Sequence, residues 1–434
     1  MAEIRPFRAW RYNDNLSNDL ENLTSPLFDV VSPEQRNRLY QNPLNSIHLS
    51  VPDGENPTED VKRRLRKWKK DGILVQDDLP GIYVYYQYFS LSGSNKTYCR
   101  KGFIANLRVY DWDEKILLRH ESTMPHSVQD RINVLDATQM NMAPTHGLYT
   151  DKQKTIEHYL DESMKAPLAE TEDYQGVRDV LSVIHDAEAI REIMNVLKDK
   201  PVILADGHHR YESALTYKKM KEAENPDHTG LEGYNYHMMY FTNTEADDLR
   251  ILPTHRIISG LDKFDQQDFL NKLSEYFNIR VIDNRFDLYD IILGKPHAFG
   301  ILMGKNAYKL RLKEGLTNQI KWNFPEKIKA LDLTVMHYYI IEKCLGIPGS
   351  KQRQSPHLGF DRNFAECVAM AEHGECQAAI ITQDISIETV KEVCYSGHTL
   401  PQKSTYFYPK VICGFLFGSI DEAEFYSPFD PEFN

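Results

Sequence analysis

The sequence predicts an α/β or α+β fold with mixed sheets. Two observations carry this reading. Strand-like and helix-like stretches alternate along all 434 residues, and two neighbouring aromatic-rich stretches, "GIYVYYQYFSL" and "TYCRKGFIANLRVYDW", read as a hairpin joined through "SGSNK". Composition agrees: 41% apolar and 26% charged residues are ordinary for a globular chain long enough for two or three packed domains.

The elements follow in order. In "SPEQRNRLYQN", Ser32 can cap a helix, Pro33 suits its first turn, and Asn42-Pro43 stops it. "NSIHLSVPDGEN" is a polar strand-to-loop segment whose Asn45, His48 and Asp53 could line a site. In "PTEDVKRRLRKWKKDG", Thr58 caps, Val61, Leu65 and Trp68 form an i, i+4, i+7 stripe, and Gly72 ends the helix. Its basic face reads as solvated. After the hairpin, "SVQDRINVLDATQMN" and "DKQKTIEHYLDESM" are helical in pattern, "GVRDVLSVIH" is followed by the helix "AEAIREIMNVLKDK", and "PVILAD" is a short apolar strand. "LRILPTHRII" closes a first region, residues 1–260. A second α/β region, 261–434, holds the helix "KFDQQDFLNKLSEYF", the strand "IRVID", the pair "AFGILMGKNAYKLRLK", the helix "DLTVMHYYIIEKCLG", the strand "QAAIITQ", the helix "SIETVKEVCYSG" and the late "YPKVICGFLFGSI".

Acidic residues exceed basic ones by 63 − 51 = 12, which disfavours nucleic acid and anionic lipid as partners, so any anion site must be local. The six cysteines show neither a CxxC pair nor zinc spacing and read as reduced, buried thiols. With no apolar leader and no 18-residue apolar run, a cytoplasmic location is expected.

Chemistry concentrates at "LADGHHRYESAL", where a buried-strand pattern turns into a helical one at Asp206-Gly207. Helix N–H groups and the helix dipole attract an anion there, and Gly207 lets backbone approach closely. Arg210 adds a planar fork, and His208 and His209 add ring donors. Asp206 must then bind a metal or take a proton, or else it simply caps the helix while the histidines pack. Zinc is disfavoured, because adjacent histidines lack helical ligand spacing.

Further basic clusters occur at "GHTLPQKSTYFYPK" (Lys403, Ser404, Thr405), "LPTHR" (His255, Arg256) and "PHSVQDR" (His126, Arg131). "GILMGKN" lacks one residue of a Walker loop and reads as a hairpin turn. GxGxxG, the protein kinase set and a GxSxG elbow are all absent.

The "ADGHHRYESAL" corner resembles that of the ParB/sulfiredoxin superfamily, in which glycine, two variable residues and arginine open a helix. His208 stands where sulfiredoxins carry cysteine, and no DNA-reading helix pair follows as in ParB clamps. Free serine kinases of this superfamily have a corner closer to Asp206-Gly207-His208. "FDVVSPEQR", "ADGHHRYESAL", "ILPTHR" and "LPQKSTYFYPK" occur in the order of a bacterial family that includes pyrophosphate-dependent L-serine kinases. The resemblance implies a ParB/sulfiredoxin-like core, and transfer of a phosphoryl group from pyrophosphate to L-serine, giving O-phospho-L-serine, with Mg²⁺ as cofactor. By the same resemblance Asp29 would be the base, with Glu34 as fallback, because free serine kinases carry a catalytic glutamate in a comparable loop. Asp206 would then orient Mg²⁺ or substrate, while Gly207 to Arg210 and Lys403 to Thr405 hold phosphates. Arg36, Arg131 and Arg256 are candidates for the serine carboxylate. Two other readings stay open: a ParB-like nucleotide-binding regulator, and a small-molecule kinase or phosphatase with another donor, such as ATP or ADP, or another acceptor.

Overall fold

The computed structural model describes residues 2–91, 95–121, 123, 125–401 and 403–425. The chain forms two compact units, Met1–Leu249 with Pro409–Asn434, and Arg250–Tyr408. The division falls after Leu249, the first residue of "LRILPTHRII", and the last part of the expected second region, from Pro409, belongs to the first unit. The reason is a two-stranded pairing: Arg250–Ile251 lies antiparallel to Phe407–Tyr408, so the chain enters and leaves the second unit side by side.

In the first unit nine strands form one mixed sheet. Its path runs Leu117–Arg119, Val202–Asp206, Thr145–Tyr149, Tyr236–Asn243, Thr97–Arg108, Ile82–Ser90, Arg178–Ile184 and Ala169–Glu172, and Ile4–Arg5 adds to Thr97–Arg108. Val202–Asp206 is parallel to Leu117–Arg119 and antiparallel to Thr145–Tyr149. The aromatic hairpin forms as expected, with Tyr85 opposite Gly102; residues 92–94 of its joint lie outside the described residues. Both faces of the sheet are buried. Tyr83, Tyr85 and Ile104 belong to one apolar cluster, while Ile82, Val84, Phe103 and Ala105 belong to another, as the period-two alternation of side chains requires.

Helices form where capping and stripe coincide. Ser32 Oγ accepts the Gln35 N–H at 3.1 Å at the start of Pro33–Leu39. The helix Pro57–Lys70 buries Val61, Leu65 and Trp68 as expected, but Asn56 holds its cap position and Thr58 lies inside the first turn. Pro57, whose missing N–H costs nothing at the first helical position, moves the start by two residues.

The second unit contains a six-stranded sheet in the order Phe277–Ile282, Asn306–Leu312, Ala298–Met303, Ala378–Ile381, His255–Ile258 and Leu358–Asp361. "GILMGKN" is the turn of its hairpin, with Gly304 at φ 57°. The stretch "DLTVMHYYIIEKCLG" starts as an α-helix at Asp332–Val335 and continues as a π-helix over Met336–Cys344. Among the described residues no helix is long and apolar enough to cross a membrane. All six cysteines are free thiols.

The returning segment after Pro409 has little regular structure. It is held by bridges of Cys413 to Ser25 and Phe417 to Trp10, and by Gly418–Ser419 pairing with Met140–Asn141. Glu424 anchors its far side, accepting from Lys69 Nζ at 2.6 and 2.7 Å, Trp10 Nε1 at 3.0 Å and Ser419 Oγ at 2.7 Å. Glu424→Ala is therefore expected to destabilise the first unit by about 1–3 kcal/mol, read as a lower urea midpoint, because Lys69 and Trp10 lose their acceptor.

Candidate functional site

The strand Val202–Asp206 is apolar and buried up to its last residue. A register shift between Leu204 and Asp206 against Thr145–Tyr149 re-aims Asp206 at the corner. Gly207 follows at φ 89°, and a Cβ there would lie 2.7 Å from Thr145 Cγ2 and 2.9 Å from Arg210 Nη2. Conformation and space both require glycine. The 17-residue helix His208–Glu224 starts at once, and the N–H groups of its first turn lie beyond the reach of intrahelical carbonyls.

Asp206 is ion-paired on both oxygens. Oδ1 accepts from Lys410 Nζ, and Oδ2 accepts from Arg210 Nη2 at 3.0 Å. Burial alone would raise this carboxyl, but Lys410 and then Arg210 hold it well below the usual carboxylate range. Arg210 is fixed further by donating Nη1 to the Pro144 carbonyl at 2.5 Å. The Lys410 carbonyl accepts from Gln87 Nε2 at 3.0 Å, and the same amide donates to Asp179 Oδ1 at 2.8 Å. Gln87 Oε1 in turn accepts from Arg100. Burial pushes Asp179 up to about 8.

Asp206 is thus a strongly ionised carboxylate with a cation on each oxygen. Among the described residues no group of three or more His, Cys, Asp or Glu side chains could hold a metal ion.

Beside the corner lies a cleft whose walls include Leu27, Phe28, Arg131, Met142, Arg210 and His237. Arg131 reaches it from the helix Pro125–Thr138, with its guanidinium 4.3 Å over the Phe28 ring and its Nη1 donating to the Ser50 carbonyl at 2.6 Å. Ser213 Oγ donates to Val128 and His209 carbonyls, at 3.0 and 2.6 Å, joining that helix to the motif helix. Cys413, also in the wall, has its thiol pushed up to about 11 by burial, against the fields of Arg210 and Arg131 and with that of Asp29. Arg131 and Arg210 therefore line one cleft with Cys413. Asp29 sits in an exposed turn immediately after the cleft-lining Phe28; Glu34 is also exposed, in the first turn of Pro33–Leu39.

Histidines surround the corner. His208 is 6% exposed, and its ring meets that of His120 edge-on at 4.8 Å. His209 is partly buried, and His126 is exposed. His146 Nε2 pairs with Thr242 Oγ1 at 2.7 Å, and His237 Nε2 with Thr145 Oγ1 at 3.1 Å. The sequence reading missed His120, His146, His237, Lys410 and Cys413. Lys410 ends a quoted motif, "LPQKSTYFYPK", but nothing in its spacing links it to Asp206.

Other expected residues have structural surroundings. In the second unit Arg256 is fully buried, donating to the Thr254 carbonyl and pairing with His337 Nε2 at 3.1 Å. His255 is buried, with Nδ1 accepting from the Thr382 N–H at 3.3 Å. Ser404 donates to the Pro401 carbonyl, Thr405 is buried, and Lys403 is exposed at φ 54°. In the first unit Asn45 is buried, bonding the carbonyls of Asn22 and Thr24 at 2.8 and 2.9 Å, and His48 meets the Asn42 carbonyl at 3.0 Å. Asn45 and His48 thus build the local chain path, and Arg256 and His255 sit in the interior of the second unit, where solvent phosphate does not reach.

A family described as "Protein of unknown function (DUF1015)" matches residues 4–334. No curated protein matches the sequence. Among solved structures, a free serine kinase in complex with AMP is 11% identical with a TM-score of 0.36, over 74% of this chain and 92% of that one. A conserved hypothetical protein from Pyrococcus furiosus is 12% identical with a TM-score of 0.34, over 75% and 97% of the two chains. SbnI from Staphylococcus aureus, with a C-terminal truncation, is 12% identical with a TM-score of 0.33, over 74% and 84%. These likenesses are too weak to carry an activity across.

Two outcomes are expected. Gly207→Ala forces a Cβ into a left-handed corner already in contact with Thr145 and Arg210. It should cost about 1–3 kcal/mol in chemical denaturation. Second, burial pushes His120 down to about 4 and His237 down to about 3, and holds His208 well below its ordinary value. From pH 6.5 down to about 4 the unfolded chain takes up protons that the folded one refuses, so stability falls as pH falls, by up to about 1.4 kcal/mol per pH unit for each histidine. Urea unfolding across this window should show a shallower slope for His120→Phe than for wild type.

Proposed function

The chain belongs to the DUF1015 family, and from the chemistry of its first unit we propose that it is a phosphotransferase moving a phosphoryl group from pyrophosphate to the hydroxyl of free L-serine. The observation that supports this reading is the pair Arg131 and Arg210 in the wall of one cleft beside the Gly207 corner, with Asp29 next in sequence to the wall residue Phe28. Two guanidinium groups bring positive charge to this cleft, Arg131 from an ion pair with Asp130 and Arg210 from one with Asp206. The exposed Asp29 carboxylate is the base, and Glu34 is the alternative. Asp206 holds Arg210 and Lys410 in place.

In the reaction the serine hydroxyl oxygen forms a bond to one phosphorus of pyrophosphate as its bond to the bridging oxygen breaks. Phosphate leaves with that oxygen, and the serine proton passes to Asp29. Mg²⁺, were it bound, would neutralise the charge on the pyrophosphate oxygens. His255, Arg256 and Ser404 have no part in the reading, because their side chains are engaged inside the second unit.

One feature favours a second donor. Leu27, Phe28, Val134, Leu135, Met140 and Met142 make much of the cleft wall apolar, which suits a nucleobase better than pyrophosphate does. The deciding assay follows phosphate release from pyrophosphate, ATP and ADP side by side with Mg²⁺, with and without L-serine, with mass detection of O-phospho-L-serine. Serine-dependent product with pyrophosphate is expected, and Asp29→Asn should lower kcat by at least about 10²-fold. Absence of product with all three donors would sink the kinase reading and leave a cleft for anion sensing.

A further inference from the structure

A free amino acid is a zwitterion, so a site that selects it needs donors for the carboxylate and an acceptor for the ammonium group. Arg131 and Arg210 are donors only. Among the polar side chains of the cleft wall, Ser213 directs its hydroxyl to the carbonyls of Val128 and His209, Asn141 Nδ2 reaches the Gly418 carbonyl at 3.5 Å, and Ser50 Oγ is buried without a hydrogen-bond partner. His237 adds a ring nitrogen in the same condition. Its ring is 2% exposed, Nε2 is engaged by Thr145 Oγ1 at 3.1 Å, and Nδ1 is buried without a hydrogen-bond partner. A buried polar atom without a partner is uncommon and calls for one.

We propose that His237 is the specificity-determining residue of the cleft, accepting a hydrogen bond at Nδ1 from the α-ammonium group of the acceptor amino acid. This rests on the reading of the cleft as an amino-acid kinase site. In the tautomer whose Nε2–H is donated to the Thr145 hydroxyl, Nδ1 keeps a lone pair. Burial, and then the charge of Arg210, hold the ring neutral, pushing it down to about 3, so that the acceptor persists at every physiological pH. Arg210 therefore acts twice, as a donor for the anionic end of the ligand and as the field that keeps His237 unprotonated. Thr145 also touches the corner, since its Cγ2 lies 2.7 Å from where a Gly207 Cβ would be. The ammonium reader and the phosphate corner thereby share one side chain.

The test compares L-serine with glycerate, which keeps the hydroxyl and carboxylate but lacks the ammonium group. For wild type, His237→Phe, His237→Gln and Thr145→Val, kcat/KM is measured for L-serine, the inhibition constant for glycerate, and serine affinity by calorimetry without donor. His237→Phe keeps a ring and removes the acceptor. It is expected to lower kcat/KM for serine by about tenfold to a hundredfold, with glycerate inhibition unchanged within about twofold. His237→Gln, which retains an acceptor, should recover most of the loss, and Thr145→Val should raise KM for serine several-fold and leave glycerate alone. Equal losses for serine and glycerate would put the ring on the phosphoryl donor and overturn the assignment while the kinase reading stands. A wild-type protein that neither binds nor phosphorylates L-serine would overturn both.

Discussion

The corner of the first unit depends on one partly buried carboxylate, Asp206. Removing Asp206 from water is unfavourable, and the arrangement is stable only because a cation meets each oxygen. That requirement fixes three pieces of chain at once: the end of a central strand, the first turn of the following helix, and the segment returning from the second unit. It also fixes chemistry. A carboxylate so strongly ionised is a poor proton acceptor, so its value lies in aiming Arg210 and Lys410, and proton transfer falls to a more exposed acid. The Gln87, Asp179 and Arg100 chain continues this logic one layer deeper, holding the backbone of Lys410 while its side chain serves the corner.

Packing carries the corner to its cleft. Because both faces of the nine-stranded sheet are covered, the strand Val202–Asp206 can be apolar almost to its last residue, and polarity appears abruptly at its end. Ser213 ties the motif helix to the helix bearing Arg131, so two guanidinium groups distant in sequence line one wall. The opposite character of the remaining wall, rich in leucine and methionine, makes the cleft amphipathic. Such a surface orients a ligand by its charged end.

What could be read beforehand was local. The Asp206-Gly207 turn was legible because a buried-strand pattern, a glycine and a helical pattern succeed one another within a dozen residues. The Val61, Leu65 and Trp68 stripe and the aromatic hairpin were legible for the same reason. Thr58 was misplaced as a cap because Asn56 and Thr58 are both good capping types, and only the preference of Pro57 for the first helical position decides between them. Arg256 and His255 looked like ligands because arginine and histidine at a strand end often are. Residue type does not reveal burial, and a sheet interior with His337 nearby absorbs them. Lys410 and His237 were invisible for opposite reasons. The lysine acts across a separation that no spacing encodes, and the histidine hides in "YHMMYFTN", where every neighbour is buried.

The second unit interrupts the first along the chain, and this has a consequence for synthesis. Asp206 and Lys410 are 204 residues apart. At ordinary elongation rates the ribosome needs on the order of 10–40 s to cover that distance. Once Asn243 has been made, every strand of the nine-stranded sheet exists, while the second counter-charge of Asp206 is still to be synthesised. The corner is completed only after the whole inserted unit has been made.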